Sequence, residues 1–331
     1  MDRVPLIDFS PFIEEAEPGK QKVARMIAEA CESIGFFAIK GHGVKFETAE
    51  AFRHLSHDFF ARPLEEKLRA EHPVAGTPRG YRALAGEALG RAGGGEAEPD
   101  LKEFYHFGRE SWPDEPYYTG DEGRRYFISN RWPEAPSGFA DAAMVYYREM
   151  EILESHLLHA AAIALGIEET FFDDKIDRHV TAMRVNYYPP QTRPAPTGQL
   201  RAGAHSDYGM MTILMGENQP GGLQVKTRSG NWIDVETEPE FFVINIGDLL
   251  MRWTNDRWLS NFHRVANPPL DIANKSSRIS IAFFHQPNYD AVIECIPTCI
   301  GPDRPALYPP VRSGDYRDIK YQETLIADEV S

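Results

Sequence analysis

His205 and Asp207 stand two residues apart in Ala204-His205-Ser206-Asp207-Tyr208, and a second histidine, His263, follows in Asn261-Phe262-His263-Arg264-Val265. Two imidazoles and one carboxylate are the donor set that grips a ferrous ion on one side and leaves the other side open. An open side admits an organic ligand and dioxygen together, which is oxidative chemistry. Zinc held by two histidines and a carboxylate is the chemical competitor, and a His-x-Asp pair taken alone is common on surfaces and in caps. Fifteen residues beyond His263 comes Arg278-Ile279-Ser280. Residues i and i+2 of a strand share a face, so Arg278 and Ser280 point together, and a strand through His205 and Asp207 would aim both into one barrel.

A guanidinium inside an apolar barrel needs an anionic partner, because an unpaired buried charge is costly. Its fork matches a carboxylate, and the Ser280 hydroxyl adds a donor to the same oxygens. This pairing suggests a small dicarboxylate bridging metal and arginine; a structural salt bridge is the plain alternative. Arg184, Asn186 and Tyr188 share another strand face. If that face turns inward, Arg184 is a second internal cation, with an ion pair at the barrel rim as the other reading.

The elements that must position these residues fall into two textures. Val4–Phe9 reads as a short strand, Gln21–Ser33 as a helix stopped by Gly35, and Phe36–Ile39 as a second strand. Helices are expected over Phe46–Ala61, Leu64–Arg69 and from Ser137 or Asp141 to Leu165, where Gly166 ends the pattern. His156 and His159 share a face of that last helix, but no Glu-x-x-His motif accompanies them, so a structural role is expected. Ala70 to Asp100 reads as loop, with Gly86, Gly90, Gly93, Gly94 and Gly95. That run lacks a Gly-Lys-Ser/Thr ending and reads as a mobile lid over Ala85–Asp100, not a phosphate cradle.

After Val180 short strands follow one another: Met183–Tyr188, Met210–Met215, Gly222–Thr227, Asn231–Val235, Phe241–Ile246, Arg264–Ala266 and Arg278–Phe284. Such spacing predicts a sandwich or barrel. The fold class expected is mostly β with flanking helices (α+β): a helical N-terminal region laid against a C-terminal jelly roll. The expected organisation is 1–175 for the N-terminal strand and helix region, 176–295 for the jelly-roll core and 296–331 for a C-terminal extension.

The bulk composition excludes more than it selects. The chain of 331 residues is 42% hydrophobic and 26% charged, with a formal net charge of −15. That balance argues against nucleic-acid binding, which needs clustered basic residues. No stretch nears the roughly twenty apolar residues of a membrane span, and Met1-Asp2-Arg3-Val4-Pro5 does not begin a signal peptide. Cys31, Cys295 and Cys299 are too few and too odd in number for a disulfide framework. A reducing cytoplasm is the expected location.

At this point the residues match a known family. The chain resembles the isopenicillin N synthase-like group of 2-oxoglutarate- and iron(II)-dependent oxygenases, and reads as a bacterial-type member. The resemblance rests on Val4-Pro5-Leu6-Ile7-Asp8-Phe9, Gly35-Phe36-Phe37, Gly41-His42-Gly43, Asn186-Tyr187-Tyr188-Pro189-Pro190 and His205-Ser206-Asp207. It continues through Gly221-Gly222-Leu223-Gln224-Val225, Asn245-Ile246-Gly247-Asp248, Trp253-Thr254-Asn255-Asp256, His263-Arg264-Val265 and Arg278-Ile279-Ser280.

The resemblance implies a double-stranded β-helix (cupin-like jelly-roll) core, with His205, Asp207 and His263 binding iron(II). It implies that Arg278 and Ser280 take the distal carboxylate of 2-oxoglutarate, with Tyr188 and Asn186 assisting. Dioxygen would be the third reactant, succinate and carbon dioxide the co-products, and hydroxylation, desaturation or cyclisation of a small organic substrate the outcome. Leu223 and Phe284 would be apolar wall near the metal, and His42 part of a turn.

Substrate-facing positions do not carry over. Tyr81, Arg82, Phe104, His106, Arg184, Tyr208 and Phe284 are candidate walls, and aromatic rings beside arginines suggest an apolar molecule with an acidic group. Three alternatives stay open: an oxidase of the isopenicillin N synthase kind that uses no 2-oxoglutarate, a non-catalytic jelly-roll binding protein, and a zinc hydrolase.

Overall fold

The computed structural model describes residues 3–14, 17–74, 76–93 and 97–324. Gly94 and Gly95 of the glycine run, and Met1 and Asp2, lie outside them. The chain begins with β1 (Leu6–Asp8), α1 (Ser10–Glu14), α2 (Glu17–Ser33), β2 (Phe36–Lys40), α3 (Phe46–Phe60) and α4 (Leu64–Leu68). Next come β3 (Gly80–Arg82), β4 (Glu103–Gly108), α5 (Pro116–Thr119), α6 (Phe139–Leu165) and α7 (Asp173–Ile176). The strand-rich part holds β5 (Ala182–Tyr188), β6 (Ala202–His205), β7 (Met211–Gly216), β8 (Leu223–Lys226), β9 (Trp232–Asp234) and β10 (Phe242–Ile246). It closes with α8 (Asp248–Trp253), β11 (His263–Val265), β12 (Arg278–Phe284), β13 (Val292–Ile293), β14 (Val311–Arg312) and α9 (Ser313–Thr324).

Two sheets make the jelly roll. The larger runs β1-β2-β10-β7-β12-β5-β4-β3, and the smaller runs β6-β11-β8-β9. Strand alternation decides what each face of the larger sheet does. In β12, Ile279, Ile281 and Phe283 join the main apolar core, whereas Arg278, Ser280, Ala282 and Phe284 line a cavity between the sheets. In β5, Met183 and Val185 belong to that core and Ala182, Arg184, Asn186 and Tyr188 to the cavity. The long helix α6 lies in the core layer, where Tyr147 meets the Phe283 ring at 5.3 Å and donates to the Thr181 carbonyl at 3.0 Å. Gly166 ends α6 in the left-handed region at φ 70°, the conformation that favours glycine at a helix end.

The N-terminal strands are not a separate layer, since β1 and β2 extend the larger sheet on the β10 side and β3 and β4 extend it beyond β5. A tight junction fixes the first of these joins. Gly35, at φ +69°, comes so close to the Leu259 carbonyl that an added Cβ would sit 1.9 Å from its oxygen.

β3, β4 and α1 are elements that sequence periodicity did not indicate. All six residues of β4 are buried, and a strand covered on both faces shows no alternation to read. His156 and His159 hold no metal cluster among the described residues; His159 pairs with Asp173 at 2.9 Å. His42 accepts the Val44 N–H at 3.2 Å and packs on Phe242, a turn residue as expected. No helix among the described residues is long and apolar enough to cross a membrane.

Candidate active site

The two sheets bring His205, Asp207 and His263 together. One ligand atom from each lies within 4.8 Å of the others, a spacing that could hold a metal ion. The Nε2 atoms of His205 and His263 are 3.9 and 3.7 Å from Asp207 Oδ1. Antiparallel pairing of β6 with β11 sets His205 directly opposite His263. The strand geometry differs from the expectation in one respect: β6 ends at His205, and Asp207 lies beyond it in the following loop.

Asp207 is therefore held by its surroundings and not by strand pairing. Its Oδ2 accepts from Thr212 Oγ1 at 2.6 Å and from Asn245 Nδ2 at 2.7 Å, leaving Oδ1 turned to the imidazoles. The Asp248 N–H donates to the Asp207 carbonyl at 2.7 Å. Gly247 leaves the space the loop occupies, for a Cβ there would meet the Gly209 carbonyl oxygen at 2.3 Å. Asn245-Ile246-Gly247-Asp248 is thus a cradle for the carboxylate, a role its sequence pattern did not disclose.

The protonation states suit a cation. Burial alone would raise the Asp207 carboxyl, but His263, His205, Thr212 and Asn245 outweigh it and hold the group below the usual carboxylate range. Burial and then the neighbouring His263 push His205 down to about 3, so it is neutral at pH 7. Nδ1 of His205 sits 2.8 Å from the Gly203 carbonyl and Nδ1 of His263 3.2 Å from the Asn261 carbonyl. Protonated Nδ1 atoms donating to those carbonyls leave both Nε2 lone pairs free for a metal. Two imidazole nitrogens and one ionised carboxylate are a donor set that fits iron(II).

Arg278 is 1% exposed on the same cavity wall. Its Nη2 donates to the Glu217 carbonyl at a long 3.4 Å, and its Nε has no partner. The Glu217 carboxylate is spent elsewhere, on Arg53, His57 and the Ile279 N–H. Beside Arg278 stand Ser280, Asn186, whose Nδ2 is 3.5 Å from Ser280 Oγ, and the ring of Tyr188, 5.5 Å from the guanidinium carbon. Asn186 Oδ1 is also buried without a partner. A buried cation with open donors and no carboxylate of its own is what a bound dicarboxylate would complete.

At the other end of the cavity the ion-pair reading of Arg184 holds. Arg184 lines it but is gripped by Glu87, with Nη1 3.0 and 2.9 Å from the two carboxylate oxygens. Glu87 also meets Lys102 at 2.9 Å, and Lys102 meets Asp100 at 3.1 Å. Burial pushes Glu87 up, yet Arg184 and Lys102 overcome it and hold the carboxyl at about 2. Phe104 does not line the cavity; its ring lies under the Arg184 guanidinium at 4.3 Å. Tyr81 faces the opposite way, into an aromatic cluster with Phe59 and Phe60, and its hydroxyl donates to Glu103. It is not a substrate wall, because alternation along β3 turns it to the core. His106, Tyr208, Leu223 and Phe284 do line the cavity, as does Arg317 of α9.

The segment expected as a lid is pinned over its described residues. Asp100 accepts the Gly203 N–H at 2.9 Å, and the Leu101 N–H donates to Leu200. Glu87, Lys102, Asp100 and Arg317 were not foreseen as site residues, because only the tertiary fold carries them to this cavity and its surroundings.

Comparison with known proteins fixes the class. Residues 180–287 match the family model of the 2OG-Fe(II) oxygenase superfamily, and residues 4–135 match that of the non-haem dioxygenase in morphine synthesis N-terminal region. The 2-oxoglutarate-Fe(II) type oxidoreductase hxnY of Emericella nidulans is 36% identical, over 94% of this chain and 87% of that protein. Homoarginine-6-hydroxylase 2-ODD-233 of Oryza sativa is 31% identical, over 89% of each. A full-length Neurospora crassa protein, solved in complex with alpha-KG, superposes with a TM-score of 0.85 at 32% identity, over 96% of this chain and 95% of that one. The same Neurospora crassa protein has also been solved with alpha-KG and thymine.

This chain belongs to the 2OG-Fe(II) oxygenase superfamily. It is an oxidoreductase of the jelly-roll class that uses iron(II), 2-oxoglutarate and dioxygen. The relatives support use of 2-oxoglutarate and give the oxidase alternative no support.

Proposed function

We propose that His205, Asp207 and His263 hold the iron and that Arg278 and Ser280 receive the distal carboxylate of 2-oxoglutarate, with Tyr188 and Asn186 completing that end. The observation that carries this reading is Arg278: a fully buried cation without a carboxylate partner, on the wall of the cavity that holds the triad. When bound, iron with 2-oxoglutarate and dioxygen supplies the oxidising power for C–H cleavage, with succinate and carbon dioxide as co-products. The protein's part is to orient and exclude. Thr212 and Asn245 fix the Asp207 carboxylate, and the Gly203 and Asn261 carbonyls fix the imidazoles. Leu223 and Phe284 keep apolar surface beside the reacting centre.

In this reading residues 176–295 carry all the metal and cosubstrate groups. Residues 1–175 add Glu87, Lys102 and His106, and residues 296–331 add Arg317. The substrate is a small organic molecule, since the cavity of about 160 Å³ has space for on the order of ten waters. An acidic group directed at Arg184 would have to displace Glu87, so that part of the expectation is set aside. Three free, buried cysteines support a reducing compartment such as the cytoplasm.

The test is succinate release from 2-oxoglutarate by the iron(II)-loaded protein in air. Wild type should release succinate, and Asp207→Ala should abolish it together with iron binding. Near wild-type release by the variant would reject the ligand assignment.

A further inference from the structure

Two residues that line the substrate side of the cavity each carry a buried polar atom with no partner. His106 and Gln286 are each 7% exposed, both line the cavity, and His106 Nε2 and Gln286 Oε1 are buried without a hydrogen bond. Orphaned buried polar groups cost free energy and call for a ligand.

Strand register places them. His106 on β4 pairs with Arg184 on β5. The Gln286 N–H donates to Thr181 Oγ1 at 3.1 Å, one step beyond the β12–β5 pair Phe284 and Ala182. Ala182 and Phe284 therefore form an apolar patch with His106 at one corner and Gln286 at the other. Phe284 is also paired with Thr212, the residue that holds Asp207, so this patch lies level with the triad. The Arg278 and Ser280 positions lie further along the same face of β12, which leaves the patch for the substrate.

Two of the cations on this side are matched, Arg184 by Glu87 and Lys102 by Glu87 and Asp100, and Arg317 of α9 also lines the cavity. Burial, followed by the nearby Arg184, Arg79, Arg317 and Arg82, holds His106 well below its usual range and neutral.

Resting on the function proposed above, we propose that His106 and Gln286 are the specificity-determining pair for the substrate. They hydrogen-bond two separate groups of a small uncharged molecule that crosses Ala182 and Phe284 with its apolar middle: an N–H or O–H at one end donates to Gln286 Oε1, and a polar group at the other end meets His106 Nε2.

The test is anaerobic calorimetry on the iron(II) and 2-oxoglutarate complex with matched probes: uracil and 4-hydroxybenzamide, their fully N- and O-methylated counterparts, and terephthalate. At least one donor-bearing probe should bind about tenfold or more tightly than its methylated counterpart and than terephthalate. His106→Phe and Gln286→Leu should each remove that preference, and His106→Gln should keep part of it. The 2-oxoglutarate charge-transfer band serves as the control for folding and cosubstrate binding and should stay unchanged in all three variants. Methylated probes binding as well as their parents, tighter binding of terephthalate, no binding of either donor-bearing probe, or variants that keep the preference would each overturn the proposal. Loss of the band in wild type would instead overturn the cosubstrate reading.

Discussion

The two ends of the cavity both carry arginines on their walls, and they treat them oppositely. At one end Arg278 has open donors and only a carbonyl at 3.4 Å, while the nearest carboxylate, Glu217, is committed to Arg53, His57 and a backbone N–H. At the other end Arg184 and Lys102 meet Glu87 and Asp100 within 3.1 Å. A buried cation is stable only with a counter-charge. The matched end therefore holds its charges as structure, and the unmatched end waits for an anion from solution. The difference separates the proposed cosubstrate anchor from a scaffold, although both look like inward arginines on alternating strands.

The contrast can be broken by substitution. Arg278→Ala should raise the half-saturating concentration of 2-oxoglutarate by about 100-fold or more, as expected when one partner of a buried charge pair is removed. Equal damage from Arg184→Ala, which should change that concentration by less than about threefold, would erase the distinction. Asn245→Ala should weaken iron binding roughly 10- to 100-fold by freeing the Asp207 carboxylate. Unchanged metal affinity in a direct titration would show that the cradle does not tune the ligand.

Glu87→Gln should convert the matched end into an unmatched one and cost about 3 kcal/mol of unfolding free energy in denaturant. Its pH dependence has a defined sign. The Glu87 carboxyl is held at about 2 against an ordinary 4.5, so its stabilisation is fully present above 4.5 and fades as pH falls through 2. The stability gap between wild type and variant should be flat near neutrality and shrink in acid; a gap that widens in acid would contradict the pairing.

Much of the anchor end was legible in the sequence. Arg278 and Ser280 are two apart on one strand, as are Asn186 and Tyr188, and period-two alternation puts each pair on one face, while the sheet packing decides that this face turns inward. His205 and His263 could be read by motif, but the strand argument for Asp207 failed, because its orientation comes from Thr212, Asn245 and Asp248 and not from pairing. The substrate end was largely illegible. Glu87, Asp100 and Lys102 come from a segment with no periodicity, and Arg184, the partner of Glu87, lies far along the chain. Tyr81 was misassigned because a three-residue strand gives no pattern from which to choose a face.

The most direct test is an anaerobic titration of 2-oxoglutarate into the iron(II)-loaded protein, followed by the visible metal-to-ligand charge-transfer band. A saturable band in wild type, shifted to much higher 2-oxoglutarate in Arg278→Ala and unaffected by Arg184→Ala, is the predicted result. Iron binding without a band, or a band indifferent to Arg278, would contradict the assignment of the unmatched arginine as the cosubstrate anchor.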